Sequence, residues 1–421
     1  MHFCLQDPSY KDSLFLNESI MMASKNASIG GGAYAFASRS GIELLFGDDA
    51  IKFFLEKGHF FLIVGMDDIT NIKALQTLKA LEERYNGHLT VKAYIHNSRG
   101  STFHPKYCWF KHSEGGVLII GSGNLTEQGL RHNREAYSVV DCTADEFSSV
   151  ENEWDRWVEH SSPFLFNIDD SRVLKIAAKN ATKAREVALA KRAVTEATEA
   201  TDDNDLKELF QRQPKNHINK KKKKFPAKDY NPESPADQEE INRSPVLLDF
   251  DEDSGYWQLN PKNTILVAEI PKSGNRWKQV NFSKDTFETF FGATCGENGI
   301  YRILLKSINA KGIMGDTEVR PSVSVSSSNY RFELDAASGL DYPNDGNRPI
   351  GVFAKVAERD FLYQIIMPSE AGYESLTSAL DRRKPRSSKM RRLIYSCKDI
   401  SEETPELAIW NRIDKENYDE Q

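Results

Sequence analysis

Residues 60–94 alternate apolar strands with an amphipathic helix, and this alternation restricts the possible folds more than any other feature of the chain. An apolar run at 60–64 precedes a helical spacing of leucine and alanine from Ile72 to Tyr85, and a second strand pattern follows at 89–94. Strand, helix and strand in this order are typical of an α/β unit with parallel strands. We therefore predict that residues 1–165 form an α/β domain.

The amino-acid composition changes twice after this segment. Residues 166–243 begin as an alanine-rich helix, then become rich in Thr, Asp, Asn, Lys and Pro, with an unbroken lysine run at 220–224. This composition predicts a helical and then flexible basic linker, whose lysines are either a phosphate contact or simply solvated. Short strands separated by Gly, Asn, Asp and Ser predict a β-rich domain at 244–395, before an acidic tail at 396–421.

Several protein classes are disfavoured by the sequence. The first residues show no signal-peptide pattern, no apolar run reaches membrane-spanning length, and five scattered cysteines form no Cys-x-x-Cys. We expect a cytoplasmic protein with no disulfide framework, no zinc site and no membrane partner. The glycines at 30–32 lack the lysine of a phosphate-binding loop, so we expect a turn or a close-packing point there and no cofactor.

His104 and Lys106 form the central candidate pair for chemistry. They are two residues apart in a stretch predicted as extended, so their side chains point to the same face. An imidazole can attack phosphorus and carry a phosphoryl intermediate, while an ammonium stabilises the charge that develops on phosphate oxygens. Neither step requires a metal. Taken alone, a His-x-Lys pair is more often part of a solvated strand face.

A second group follows the apolar strand at 117–120. Two glycines in Gly-Ser-Gly-Asn allow a tight turn that presents Ser122 and Asn124 to phosphate oxygens, although the same tetrapeptide also suits an ordinary turn with a helix cap. Glu135 is placed to accept a hydrogen bond from the second ring nitrogen of His104 and to stabilise its imidazolium form. The neighbouring His112 and His132 lack such partners, and we expect them to be surface or locally hydrogen-bonded residues.

The order of these motifs resembles the phospholipase D superfamily, and in particular its restriction-endonuclease branch of NgoFVII type. His-x-Lys, then Gly-Ser-Gly-Asn about fifteen residues later, then Glu eleven residues beyond Asn124, all follow that pattern. The general superfamily pattern has an Asp five residues after the Lys, where this chain has Lys111, and this departure argues against the lipid-hydrolysing branch. The resemblance implies catalytic roles for His104, Lys106, Ser122, Asn124 and Glu135. Because the superfamily uses two such histidines and this chain has one His-x-Lys, it also implies a homodimer with a shared site.

Two segments of the β-rich region are candidates for contact with DNA, although the net charge of -7 does not favour such a partner by itself. Basic, amide and aromatic side chains of this kind contact phosphates and base edges, and ordinary solvated loops are the alternative. The region from 269 to 292 resembles the DNA-binding pseudobarrel related to plant B-three domains, in which two arms hold the major groove. The candidate residues are Lys272, Asn275, Arg276, Trp277, Lys278 and Gln279 in the first arm, and Asn344, Asn347 and Arg348 in the second.

Together, these resemblances imply a multidomain, type II-like restriction endonuclease. It would cut double-stranded DNA at specific sequences through a phosphohistidine, without metal or other cofactor, and would have a cognate DNA methyltransferase as its system partner. A separate ATP-dependent helicase or translocase is a further partner that some relatives imply. The alternatives are a catalytically silent DNA-binding protein and, disfavoured by Lys111 and the single motif, a lipid phosphodiesterase.

Overall fold

The computed structural model describes residues 1–98, 100–183, 186, 245, 249–251, 256–272, 277, 279–282, 284–293, 300–321, 330–344, 346–382 and 390–410. Within these ranges the chain forms an N-terminal α/β domain and a C-terminal β-rich domain, as the sequence predicts. The first domain continues beyond the expected limit at 165, through strand β8 and a helix over 171–183. The lysine run at 220–224 lies outside the described residues, as does most of the predicted linker.

An eight-stranded sheet organises the first domain, in the order β1-β7-β6-β5-β2-β3-β4-β8. Strands β2, β3 and β4 are parallel to one another, and the other neighbours are antiparallel. The strands are β1 (His2–Gln6), β2 (Ile29–Tyr34), β3 (His59–Gly65), β4 (Leu89–Tyr94), β5 (Lys106–His112), β6 (Gly115–Gly121), β7 (Glu135–Thr143) and β8 (Leu165–Asn167). The helices are α1 (Leu16–Ser24), α2 (Arg39–Phe46), α3 (Asp49–Leu55), α4 (Ile72–Arg84) and α5 (Ala144–Ser161).

The predicted helix from Ile72 is confirmed, and its boundaries have local causes. The Asn71 side chain accepts a hydrogen bond from the backbone amide of Ala74 at 3.1 Å, which satisfies a donor of the first turn. Leu75 and Leu78 are buried, so one face of the helix packs against the sheet. The second sheet face is covered by α5, where Trp154 lies in a cluster of aromatic side chains.

The glycines at 30–32 belong to strand β2, in the middle of the sheet, and not to a turn. A Cβ atom built on Gly31 would lie 2.7 Å from the Trp109 ring, and one on Gly30 would lie 2.8 Å from the Phe60 ring. The glycines therefore make room for large neighbours, which confirms the close-packing alternative.

The second domain contains a six-stranded sheet in the order β14-β13-β17-β16-β11-β18 and two separate strand pairs, β9 with β10 and β12 with β15. The strands are β9 (Asp249–Asp251), β10 (Tyr256–Gln258), β11 (Thr264–Glu269), β12 (Gln279–Asn281), β13 (Arg302–Ile308), β14 (Met314–Pro321), β15 (Arg331–Glu333), β16 (Ile350–Ala357), β17 (Asp360–Ile366) and β18 (Arg392–Ser396). Helices span Lys284–Thr289, Tyr373–Asp381 and Cys397–Glu403.

The end of this domain lies later than the sequence suggests. Cys397, Ile400, Leu407, Ile409 and Trp410 are buried together with residues of β11 and β16. Residues 396–410 are therefore part of the domain core and not an acidic tail, because their apolar side chains are spaced among the acidic ones. Within the described ranges, no helix combines the length and the apolar character needed to cross a bilayer.

Buried charges join the two domains. Glu18 of α1 accepts hydrogen bonds from Arg131 Nη1 at 3.0 Å and from Arg359 Nη2 at 3.2 Å, and these three side chains are fully buried. The Phe15 ring lies against both guanidinium groups, at 4.0 Å from Arg131 and 4.8 Å from Arg359. Leu304 of the second domain adds an apolar contact, because it is buried in the core cluster of the first.

Candidate active site

Three strand ends meet at one edge of the first sheet. Strand β5 begins at Lys106, β6 ends at Gly121, and β7 begins at Glu135. Because β5 and β7 are each antiparallel to β6, the start of β5, the end of β6 and the start of β7 share this edge. The five predicted catalytic residues lie on or beside these ends.

His104 and Lys106 are brought together directly. Lys106 Nζ lies 3.0 Å from His104 Nδ1 and 3.1 Å from Nε2, and the exposed imidazole contacts the Phe36 ring edge-to-face at a centroid distance of 6.0 Å. Partial burial lowers the pKa of the Lys106 ammonium, and the negative charge of Glu135 offsets only part of this effect. An accessible imidazole beside a cation is suited to attack on an anionic phosphate.

Asn124 lies on the segment that follows β6, at the same end of the sheet as this pair. The backbone amide of Leu125 donates to the Phe36 carbonyl at 3.1 Å, which fixes the segment against the end of β2. The amide oxygen of Asn124 is buried, and among the described residues it has no hydrogen-bond partner. Such an unsatisfied acceptor is uncommon in a folded protein, and a phosphate oxygen, which is itself an acceptor, could bind only the amide N–H group of this side chain.

Glu135 differs from its expected position. Its carboxylate accepts hydrogen bonds from the Ser122 hydroxyl and from the Asn133 amide, the latter at 3.0 Å, and the predicted bond from His104 is not formed. The reason is the strand order, because β6 lies between β7 and β5 and places Ser122 nearer to the carboxylate. Glu135 still acts on the site through its charge, which raises the pKa of Lys106.

A further group holds the backbone before His104 and was not predicted. Asp67 follows β3, accepts a hydrogen bond from the Phe103 amide at 2.7 Å and lies 3.3 Å from His96 Nε2. The Phe103 ring also stacks on Tyr94, with ring centroids 4.2 Å apart. The position of Asp67 at the carboxyl end of a parallel strand was the available signal, since polar groups at such ends commonly serve a site.

An exposed apolar patch lies on strands β1 and β6, on the face of the sheet that α5 covers. Phe3, Leu5 and Ile120 are 64%, 67% and 51% exposed. Ser138 of β7 pairs with Phe3 of β1 on one side and with Ile120 of β6 on the other, so Phe3 and Ile120 lie in one row across the sheet. Ile120 is two residues before Ser122 in the sequence. Large apolar side chains gathered at a sheet edge are typical of a surface that contacts another protein.

One group of potential metal ligands occurs among the described residues, at the domain interface and not at the sheet edge. Oxygen and nitrogen atoms of Glu127, His132 and Asp360 lie within 4.8 Å of one another. The Lys306 ammonium already pairs with Glu127, and His132 Nε2 lies 2.6 Å from Asp360. These contacts satisfy the carboxylates, so we interpret the group as an ionic contact between the domains. His132 is thus neither a surface residue nor a locally bonded one.

Comparison with known proteins locates the family resemblance in the first domain. Residues 40–158 match the family model described as a cardiolipin synthase, PLD-like domain, and this range contains the sheet edge described above. This part of the chain is a phospholipase D-like domain. No curated protein matches the chain.

The phospholipase D-like domain is also similar to solved structures. One is NucT from Helicobacter pylori, at 10% identity over 39% of this chain and 97% of that one, with a TM-score of 0.29. Another is the phospholipase D family member Nuc from Salmonella typhimurium, at 12% identity over 35% of this chain and 87% of that one, with a TM-score of 0.26. A third is the N-terminal domain of Helicobacter pylori LlaJI.R1, at 14% identity over 31% of this chain and 97% of that one, with a TM-score of 0.23.

Outside the phospholipase D-like domain, the described residues of the two predicted DNA-contacting arms approach each other at Lys272 and Tyr342. Lys272 is exposed and is 5.7 Å from the Tyr342 ring, whose hydroxyl donates to the Ile270 carbonyl at 2.9 Å. Asn344 and Asn347 are also exposed. Asn275, Arg276 and Lys278 lie outside the described residues.

Three of the predicted DNA contacts have structural partners within the domain. Trp277 is only 7% exposed and donates its indole N–H to the Leu340 carbonyl at 2.8 Å, so it supports the arms from the core and, contrary to expectation, does not face solvent. Gln279 donates to Glu333 at 2.9 Å. Arg348 is half-buried and pairs with Glu269 at 3.1 Å.

Proposed function

We propose that this protein is a sequence-specific DNA endonuclease that cleaves phosphodiester bonds through a phosphohistidine intermediate. The observation that carries the proposal is the contact between His104 and Lys106 at a sheet edge that also holds Asn124, inside a domain that matches a phospholipase D-like family model. The second domain would supply sequence recognition, with the B-three-like pseudobarrel implied by the resemblance of its arms.

The reaction proceeds in two displacements. In the first, a ring nitrogen of His104 attacks phosphorus, a nitrogen–phosphorus bond forms and the bond to the 3′ oxygen breaks. In the second, water attacks the phosphohistidine, releases the 5′-phosphate and restores the imidazole. Lys106 and the Asn124 amide stabilise the non-bridging oxygens, while the negative charge of Glu135 favours the charged form of Lys106 and its carboxylate accepts a hydrogen bond from the Ser122 hydroxyl. These side chains supply a nucleophile and a cation without a metal ion.

A second copy of this chain would supply the general acid. The leaving 3′ oxygen needs a proton, and the described site offers one exposed imidazole, which is already the nucleophile. The partner's His104 would donate that proton if a two-fold contact brought two copies of this sheet edge together, and the exposed apolar patch of Phe3, Leu5 and Ile120 is the candidate for that contact. Such an isologous interface would place two copies of the site across one axis.

The first experiment compares DNA cleavage by the wild type, His104→Ala and His112→Ala in the presence of EDTA. His112 is a matched control, since it lies on β5 and its Nε2 is 3.0 Å from the Ala23 carbonyl, away from the site. Discrete fragments from the wild type and His112→Ala, but not from His104→Ala, are expected. If no protein cuts while all three retard particular DNA fragments on a gel, the protein is a DNA-binding protein or requires an ATP-dependent partner.

Mixed dimers test the shared site. After random subunit exchange between equal amounts of wild type and His104→Ala, only dimers with two wild-type subunits would complete the reaction, which leaves about one quarter of the activity shown by the same total amount of wild type. Independent active sites would leave about one half. Replacement of Phe3 and Leu5 by serine should shift the protein to monomers in sedimentation and abolish cleavage while leaving the circular dichroism spectrum unchanged.

A further inference from the structure

One short segment, residues 122–135, connects the candidate site to the second domain. Its first residues are Ser122 and Asn124, its last is Glu135, and between them lies a π-helical turn over Gln128–His132. Turns of this type are rare and often occur at functional positions. The same segment therefore carries site residues at both ends and other side chains in its middle.

The middle of the segment is fixed to the second domain by buried polar contacts. Glu127 pairs with Lys306, and their side chains are 1% and 7% exposed. Arg131 Nη2 donates to the carbonyl of Arg302 at 2.9 Å, and His132 Nε2 lies 2.6 Å from the Asp360 carboxylate. Because these charges are removed from water, each partner restricts the position of the other more strongly than a surface pair would.

The middle of the segment also contacts both of its ends. A Cβ atom added to Gly129 would lie 2.5 Å from the Asn124 backbone nitrogen, so the π-helical turn rests directly on the backbone of Asn124. At the other end, Asn133 donates its side-chain amide to Glu135 at 3.0 Å and its backbone amide to the Gln128 carbonyl at 2.7 Å. A displacement of the turn would therefore move Asn124 and release Glu135.

We infer that the second domain sets the geometry of the candidate site through this segment, with His132, Glu127, Lys306 and Asp360 as positioning residues that act through Asn124 and Glu135. The inference rests on the proposed function. It means that the second domain does more than deliver DNA, because the same contacts that hold it in place also complete the phosphate pocket. A misplacement of about 1 Å in such a pocket is enough to reduce turnover about 10²-fold.

The test uses full-length His132→Ala and His132→Gln and measures two properties in EDTA. Hydrolysis of bis(p-nitrophenyl) phosphate reports the chemistry without the second domain's DNA contacts, and fluorescence anisotropy with labelled random-sequence duplex DNA reports binding. His132→Ala should lower kcat by about 10-fold to 10²-fold on the chromogenic diester and leave the DNA Kd within about twofold. Since glutamine can still donate to Asp360, His132→Gln should retain kcat within about threefold.

Arg39→Ala is the matched control for the loss of an interdomain contact. Arg39 Nη2 pairs with Asp316 at 3.3 Å on the exposed side of the interface, outside the segment, so both kcat and Kd should stay at wild-type values. An equal loss of kcat in Arg39→Ala and His132→Ala would overturn the inference, because the effect would then be general loosening of the domains. Wild-type kcat in a folded His132→Ala would overturn it as well.

A double variant protects the test against failure to fold. Glu127→Gln with Lys306→Met removes the buried pair without leaving a lone charge, and such neutral replacements are usually tolerated. A folded double variant should show the same loss of kcat at unchanged Kd, and wild-type kcat would refute the inference. If instead the wild type hydrolyses neither the diester nor DNA, it is the proposed function that fails.

Discussion

Replacing Glu18 by glutamine should destabilise the protein strongly, because this one carboxylate holds both domains. Its Oε1 accepts from Arg131 Nη1 at 3.0 Å and from the Arg302 amide at 2.9 Å, and its Oε2 accepts from Arg359 Nη2 at 3.2 Å and the Phe15 amide at 3.1 Å. A glutamine could keep the first two bonds. Its amide group would then face two other donors, and both buried guanidinium groups would lose their negative partner.

The expected loss is about 3–5 kcal/mol in the free energy of unfolding, the usual cost of breaking a buried ion pair on one side. Burial already lowers the pKa of Arg131, and Glu18 is the largest opposing influence on it. Urea unfolding followed by tryptophan fluorescence and circular dichroism would measure the change. At an m-value of about 3 kcal/mol/M, the midpoint should fall by about 1 M or more.

Glu153→Gln is the control for loss of one carboxylate. Glu153 pairs with Arg156 on the surface of α5, with 71% and 76% of the two side chains exposed. Its replacement should change the free energy of unfolding by less than about 1 kcal/mol. If Glu18→Gln unfolded at the same urea concentration as the wild type, the buried network would not hold the domains together and the reasoning would be refuted.

Three further predictions concern single residues. Lys106→Met should lower kcat for phosphodiester cleavage by about 10²–10³-fold with little change in DNA affinity, measured by steady-state kinetics and anisotropy, and a large change in Kd alone would contradict its role at the transition state. Glu135→Gln should move the alkaline limb of the pH–rate profile to lower pH, because the Glu135 charge raises the pKa of Lys106 and activity disappears once that ammonium loses its proton; an unmoved limb would exclude this coupling. For Asp360, burial raises the pKa, but the His132 hydrogen bond and the charges of His132, Lys306 and Arg131 lower it below its ordinary value. A lowered carboxyl pKa stabilises the fold above the unfolded value of about 3.9, so the difference in urea midpoint between the wild type and Asp360→Asn should shrink as the pH falls below about 4.

The elements that the sequence predicts well are those whose partners are close along the chain. Strands β3 and β4 and helix α4 follow from their own apolar periodicity, because burial of one face requires that spacing. Strand β2 is different, since glycine has a low strand propensity, and only the size of Trp109 and Phe60 explains why the glycines at 30–32 are in the sheet.

In the candidate site, too, the sequence predicts contacts between residues that are close along the chain and misses contacts between distant ones. The proximity of His104 and Lys106 follows from two-residue alternation, which any extended chain obeys. The partner of His132 is 228 residues away, and no local pattern indicates it. For Trp277, the local pattern predicts the wrong role. An aromatic residue beside basic ones is typical of a DNA contact, but the Trp277 indole is buried in the core of the second domain beneath the arms.

Both domains make contacts with the first eighteen residues, and this restricts how the protein can evolve by domain exchange. Arg359 donates to the carbonyls of Lys11 and Ser13 at 2.9 and 2.8 Å, and the Glu358 amide donates to the Pro8 carbonyl at 3.0 Å. A recombination event that attached a different second domain would leave buried charges of the first domain uncompensated. The two domains are therefore expected to be inherited as a matched pair, and artificial chimaeras should exchange the interface residues together with the domain.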